Sequence, residues 1–336
     1  SGQWEGTVNP PALPSKVQIL HPPPVSRSPG PSKISGRVIK LSIMAMIRSK
    51  RKFPSLPYFW SLIDWTIPSL NPYKGQLLRA QSVSDIAKIA RKRTPKVVFD
   101  YVEGGAVDEM AYSRSRDAYS RIEFNSRVLR DVSKVDTSTT ILGKVVDIPI
   151  CFAPTGYTRL MYHVGEPAVA NVASKKNMVY ALSTMGTTSP EELAAAVPSS
   201  RRWFQLYIMK NRADSLAVIK QAKDSGFEAL VLTVDTPVNG LRYRDNRNGL
   251  TVPPKIRINT VFAIARKPIW WLNLFTTGKL EFAAFRGWDR SLSELAGVIY
   301  DPGTTMKDIT WLRSVWDGPI IVKGIQLLHP PHSVFL

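Results

Sequence analysis

Five short stretches hold the residues with usable chemistry: Ala153-Pro154-Thr155-Gly156, Ser183-Thr184, Gln205-Leu206-Tyr207, Thr233-Val234-Asp235 and Lys323-Gly324. Each closes an apolar run with a small polar or charged group. Ser or Thr in such a place is ordinarily a satisfied turn residue, so any one of them carries little weight. Together on one rim they suit a flat heterocycle: hydroxyls and an amide meet its carbonyls and ring nitrogens, and a lysine supplies positive charge where electrons accumulate. The fourth stretch is the richest. After Leu230, Val231, Leu232 and Val234 come Asp235, Arg242, Arg244, Asp245 and Arg247, a polar loop at the carboxyl end of an apolar strand, where parallel α/β folds place their chemistry.

The elements that must position these groups follow from hydrophobic periodicity. Apolar runs at residues 148–153, 178–182, 203–208, 229–234 and 319–322 predict strands covered on both faces. Between them stand helix signals: Ser189, Pro190 and Glu192 at N-cap, N1 and N3, Asn211 opening a helix that closes at Gly226, and Thr305 with Asp308 boxing a helix that buries Ile309, Leu312 and Val315. The first four strands recur at the length of a βα unit, so the sheet is expected to be parallel. Residues 236–303 form an excursion too long for an ordinary βα connection.

Upstream, order is expected from about residue 82, where Ser82 and Asp85 make an acidic capping box. Helical segments follow over 95–102, stopping at Gly104-Gly105, and over 107–120. An eight-stranded barrel is the natural closure of such a repeat, and five strands are present. Pro330 and Pro331 break any helix returning to a sixth, so the expectation is an incomplete (β/α) barrel of about five units with two apolar edges.

Composition narrows the partners. The net charge is +19, and residues 1–80 hold eleven Lys or Arg against Glu5 and Asp64, so this segment alone accounts for +9. A nucleic-acid reading rests on it alone, and no nucleic-acid partner is expected. Prolines crowd the segment before Met44 and Met46, which are candidate starts, and residues 1–75 are expected to be a disordered Pro-rich, basic tail. Within it, residues 47–75 mix Arg48, Lys50, Arg51 and Lys52 with Tyr58, Phe59, Trp60 and Trp65; an irregular packed arm is favoured over a membrane contact, because prolines interrupt any long helix. The lone Cys151 sits in an apolar run and is expected to be a packed core thiol, which suits a reducing compartment.

Rossmann, P-loop and zincin motifs are absent, and His21, His163, His329 and His332 have no partners at metal-ligand spacing, so no metal is expected. No apolar run is long enough to span a membrane.

FAPTG, ALST, WFQLY, LTVDTP, GLRYRDNRNG and DGPIIVKG, in this order, resemble the FMN-dependent α-hydroxy acid oxidases and dehydrogenases, closest to the quinone- or cytochrome-linked L-lactate dehydrogenases. TPKVVFDYVEGGAVDE is similar to that family's amino-terminal helices. The resemblance covers about residues 77–326 and implies a dehydrogenase domain over 76–326, with 327–336 an aberrant tail. It implies that Ala153, Pro154, Thr155, Ser183, Gln205, Thr233 and Lys323 hold FMN, with Lys323 near the ring edge that becomes anionic on reduction. It implies that Tyr101, Tyr207 and Arg242 hold the substrate, Arg242 on its carboxylate, and that Asp235 orients a catalytic histidine. Tyr207, Asp235 and Lys323 are thus the expected catalytic residues.

In that family the base histidine and the phosphate loops follow later strands. His329 and His332 stand too close to Lys323 to fill the first role, so a catalytically silent fragment is the rival reading. The excursion carries Lys267-Pro268-Ile269-Trp270-Trp271-Leu272-Asn273-Leu274-Phe275, a membrane contact where a quinone is reached or, equally, a buried lid. The expectation is FMN-dependent oxidation of an L-2-hydroxy acid, L-lactate foremost, with electrons passing to quinone, cytochrome or oxygen. The chain would be cytoplasmic or peripheral at the inner membrane, and family members are often homo-oligomers.

Overall fold

The computed structural model describes residues 55–63, 72–250, 258–288 and 292–325. The chain divides into two compact units, residues 1–67 and 68–336. In the first, only a short helix, α1 (Leu56–Ser61), is described; Pro57 occupies its first turn, and Leu56, Tyr58, Phe59 and Trp60 are exposed. The segments around Met44, Met46 and Trp65 and the tail with His329 and His332 lie outside the described residues.

The second unit opens with α2 (Pro72–Arg79), α3 (Val83–Arg93), α4 (Lys96–Glu103) and α5 (Met110–Tyr119). Helix therefore begins ten residues before the expected onset at 82, since Pro72 can occupy the first position of a helix rather than break one. Ser82 caps α3 by accepting from Asp85 N, while the Asp85 carboxylate takes Gln81 N instead of completing the box on Ser82. Helix α4 ends at Gly104, which is extended rather than left-handed.

A two-stranded antiparallel hairpin follows, β1 (Thr139–Ile141) and β2 (Lys144–Val146). Its turn, Leu142-Gly143, has φ of +48° and +74°, the two positive values a tight hairpin requires. Then come β3 (Cys151–Phe152), α6 (Thr158–Met161), α7 (Glu166–Lys175), β4 (Val179–Ser183), α8 (Pro190–Ala196), β5 (Arg201–Leu206), α9 (Arg212–Asp224) and β6 (Ala229–Thr233). The excursion is helical: α10 (Tyr243–Asn248), α11 (Ile258–Ala265), α12 (Pro268–Thr276), a 3-10 turn at Ala283–Phe285 and α13 (Leu292–Val298), before α14 (Met306–Val315) and β7 (Ile320–Lys323).

The five strands β3 to β7 pair in sequence order, every neighbour parallel. That progression, with helices between successive strands, is an arc of a (β/α) barrel. Alternation splits each strand between two cores. Tyr180, Leu182, Phe204, Leu206, Leu230 and Leu232 face the helices and pack with Leu193, Val218, Ile219 and Leu312. Val179, Ala181, Trp203, Ala229 and Val231 line the concave face and pack with Val146 of the hairpin. The predicted capping boxes of α8 and α14 are both present.

Cys151 is exposed, not a core thiol. It pairs in register with Val179 and so shares the concave face, but β3 is at the edge of the described sheet and the hairpin that covers Val179 leaves it open. The apolar run around it announced a strand, not burial on both faces.

Candidate functional site

The concave face changes character at the carboxyl ends of its strands. Ser183, Gln205 and Thr233 stand there on three adjacent strands, all buried, Gln205 with 1% of its surface exposed. The Gln205 amide carbonyl accepts from Ser183 Oγ at 3.1 Å and from Thr184 N at 3.2 Å, and its Nε2 donates to Thr233 Oγ1 at 3.0 Å. Because Thr184 N can only donate, the amide oxygen must point to β4 and its nitrogen to β6. Ser183 Oγ also accepts from Met185 N at 3.1 Å. The ladder is thus oriented by backbone. It leaves the second amide proton of Gln205 and the hydroxyl proton of Thr233 uncommitted among the described residues.

Lys323 is the register partner of Thr233 and extends the same row onto β7. Its Nζ lies 3.7 Å from Asp235 Oδ1, both groups partly exposed. Gly324 makes this approach possible: φ is +109°, and a Cβ there would fall 2.6 Å from Asp235 Cβ and Cγ.

The excursion and the amino-terminal helices bring up the other wall. Arg242 precedes α10, and its Nη2 donates to the carbonyls of Tyr101 and, at 2.7 Å, of Gly104. The guanidinium lies over the Tyr101 ring, 4.9 Å from its centroid, with Nε 3.1 Å from Asp245 Oδ2. Geometry there is poor for hydrogen bonding, and Arg242 Nε and Asp245 Oδ1 both stay unpartnered. Burial, opposed by Arg242 and reinforced by Asp100, pushes the Asp245 carboxyl up. Gly104 has no room for a side chain: a Cβ would meet Asp100 O at 2.6 Å and Arg242 Nη2 at 3.4 Å.

Tyr101 and Tyr207 meet at this wall. Burial pushes both hydroxyls up, Tyr207 also through Tyr300 and Asp235, so each is a neutral donor at any ordinary pH. Two further tyrosines, not anticipated, join them. Tyr300 packs edge-on against Tyr207 with centroids 5.0 Å apart, and its hydroxyl reaches Met185 Sδ at 3.5 Å. Burial raises Tyr157 to about 12; it stands at φ +56°, directly after Gly156, with its ring edge-on to Phe282. No spacing joins Tyr300 to Tyr207, since the excursion returns it from a distance. Tyr157 was more accessible, as the residue following a strand-end Pro-Thr-Gly.

The loop after β3 is the least enclosed part. Ala153 and Thr155 are exposed and Pro154 is partly buried. Thr155 Oγ1 donates to Ala153 O at 3.4 Å, and Tyr157 N donates to Met185 O at 3.0 Å. The β4 turn beside it is fastened from beneath by Glu166, fully buried, which accepts from Thr187 N at 2.6 Å, Thr187 Oγ1 at 2.7 Å and Thr188 Oγ1 at 2.8 Å.

Residues 90–330 match the family model described as FMN-dependent dehydrogenase. The chain belongs to the FMN-dependent dehydrogenase family. A Mycobacterium tuberculosis protein named "Putative L-lactate dehydrogenase" is 38% identical over 284 residues, 84% of this chain and 69% of that relative. Glycolate oxidase 3 of Arabidopsis thaliana is 38% identical, over 73% of this chain and 62% of its own length. A crystal structure described as the monotopic membrane protein (S)-mandelate dehydrogenase superposes with TM-score 0.69 at 32% identity, covering 74% of this chain and 67% of that one. The chain therefore spans about two thirds of the length of these relatives, and its fold is the incomplete (β/α) barrel read from its sequence.

The donor set fits the family's cofactor at its ring. A flavin presents carbonyls and ring nitrogens along one edge; the buried Ser183, Gln205 and Thr233, with the exposed Lys323 continuing their row, offer hydroxyl, amide and ammonium donors held on rigid strands. Ala153, Pro154 and Thr155 border that row from β3. Among the described residues the one histidine is His163, which lies between α6 and α7 and lines a separate cleft with residues of α3 and α12.

Proposed function

We propose that this chain binds FMN at the carboxyl rim of β3 to β7 and oxidises an L-2-hydroxy acid there, L-lactate foremost. The buried Ser183–Gln205–Thr233 ladder, with Lys323 continuing it, carries the reading. Bound FMN would supply a two-electron acceptor. In this proposal Ser183, Gln205 and Thr233 hold the ring edge, Lys323 offsets negative charge at it, and Ala153, Pro154 and Thr155 bound the ring on the β3 side.

The substrate groups are assigned by their chemistry. Arg242 takes the carboxylate, exchanging its bonds to the Tyr101 and Gly104 carbonyls for a charged bidentate partner. Tyr101 and Tyr207, kept protonated by burial, donate to the carboxylate or the substrate hydroxyl oxygen. Asp235 is positioned to orient and charge a proton-accepting group at the rim. L-Lactate is preferred over larger acids on the strength of the similarity to a lactate dehydrogenase.

A quinone is the proposed electron acceptor. Two observations support it: the exposed apolar faces of α11 (Ile258, Val261, Phe262) and α12 (Ile269, Leu272, Phe275), and the likeness to a monotopic membrane dehydrogenase. In this reading the two helices lie at a membrane surface; among the described residues no helix is long and apolar enough to cross one. A catalytically silent flavin-binding chain is the rival reading, and one experiment tests both. The visible absorption spectrum with added FMN, followed by anaerobic L-lactate, separates the two. Bound flavin that bleaches supports oxidation, bound flavin that does not bleach supports the rival reading, and no bound flavin refutes both.

A further inference from the structure

Away from the barrel rim, α2, α3, the segment around α6 and α12 enclose a cleft of about 650 Å³. Its floor is apolar, with Leu77, Ile86, Ile89, Met161, Ile269 and Leu274, and Trp270 is fixed in its wall by an Nε1 bond of 2.8 Å to Leu160 O. Five cations line it as well: Lys92, Arg93, Arg159, Arg266 and Lys267, with no carboxylate among the lining residues.

Three of these cations are held in place without being neutralised. Arg159 Nη2 donates to Gly278 O, Lys267 Nζ to Lys92 O, and the Arg93 guanidinium lies 4.4 Å from the Tyr73 ring centroid. None of the five forms an ion pair with another described residue. His163 lines the same cleft, and its Nδ1 is buried without a partner.

An apolar floor under unneutralised cations selects an occupant with a hydrocarbon part and an anionic head. A soluble anion would waste the floor, and a neutral amphiphile would leave the charges unanswered. The cleft also adjoins the exposed apolar residues of α12, Ile269 foremost, so its ligand and those side chains can share one interface. We propose that the cleft holds the phosphate and the first acyl carbons of an anionic phospholipid in a membrane leaflet. The phosphate sits among Arg93, Arg159 and Arg266, and the chain lies along Ile86, Ile89 and Leu274. This rests on the reading that α11 and α12 lie at a membrane surface. It adds a selectivity which that reading lacks: greasy helices alone insert into any bilayer, whereas this site discriminates by headgroup charge.

Co-sedimentation of the full chain with phosphatidylcholine vesicles, with and without phosphatidylglycerol, tests it. Phosphatidylglycerol is expected to raise the apparent vesicle affinity about tenfold or more, because several basic residues meet the anionic surface together. The triple variant Arg93→Gln, Arg159→Gln, Arg266→Gln is expected to lose that increment while keeping its binding to phosphatidylcholine and its circular dichroism. A control triple Lys88→Gln, Lys176→Gln, Lys220→Gln, of equal charge loss elsewhere on the surface, is expected to keep the increment. Short-chain phosphatidylglycerol below its micelle concentration should also give a saturable change in tryptophan fluorescence that Trp270→Phe removes. An increment that survives in the cleft variant, or falls equally in the control, overturns the site. Binding to neither kind of vesicle overturns the membrane reading beneath it, and a saturable fluorescence change that persists under that outcome still supports the cleft.

Discussion

At their amino ends β4, β5 and β6 turn Val179, Trp203 and Ala229 inward beneath the β1–β2 hairpin, whose Val146 is fully buried. At their carboxyl ends the same strands turn Ser183, Gln205 and Thr233 inward on the same face. One end is closed by apolar packing and by ion pairs at the margin, where Glu228 joins Lys144 at 2.7 Å and Arg201 at 3.1 Å. The other is satisfied within its own strands and leaves donors over. A residue of strand has two places to spend its polar groups, on the fold or on a ligand, and in this sheet the choice is made by which end it occupies.

Breaking the support of the polar end should have the largest effect. Glu166→Ala leaves Thr187 N and two threonine hydroxyls without their buried acceptor, which is expected to cost about 3 kcal/mol in urea unfolding. Because the β4 turn carries Thr184 and Met185, whose amides orient Gln205 and Ser183, flavin affinity should fall with it. Unchanged stability would mean that the turn is held by its packing alone.

The closed end should respond to pH and much less to ligand. Burial raises the Glu228 carboxyl, but Lys144 and Arg201 outweigh it and hold the group below its ordinary value of 4.5. A depressed folded value contributes stability above the unfolded value and loses it as pH falls through the folded one. Denaturation below about pH 4.5 should therefore be shallower in Glu228→Gln, by about 1 kcal/mol because Lys144 is well exposed. FMN affinity at neutral pH should not change. A fall in affinity would show that the two ends are coupled through the strands.

Much of this was legible in the sequence because the signals were local. Ser189 with Glu192 and Thr305 with Asp308 are reciprocal bonds between residues three apart, and each sits where its sequence placed it. The apolar runs marked all five parallel strands to within a few residues, since strands covered on both faces need continuous hydrophobicity. What escaped was non-local. The hairpin at 139–146 is too short to show a period, and its Leu-Gly turn is a weaker signal than Asn-Gly. Cys151 was misjudged because a strand's apolar character does not reveal which neighbours it lacks. Glu166 carries no sequence signal for its role, because the threonines it holds come from the β4 turn, and Tyr300 reaches Tyr207 only through the return of the excursion.

Whether the Ser183–Gln205–Thr233 row holds a flavin ring decides the function proposed for this chain. Quenching of flavin fluorescence on titration with the chain tests this most directly, using lumiflavin, which carries the ring without ribityl chain or phosphate, beside FMN. The row predicts that lumiflavin binds, and that Gln205→Leu weakens both flavins about tenfold or more, the worth of one or two buried hydrogen bonds. Equal affinity in Gln205→Leu and the unaltered chain, or FMN binding with no lumiflavin binding at all, would contradict it.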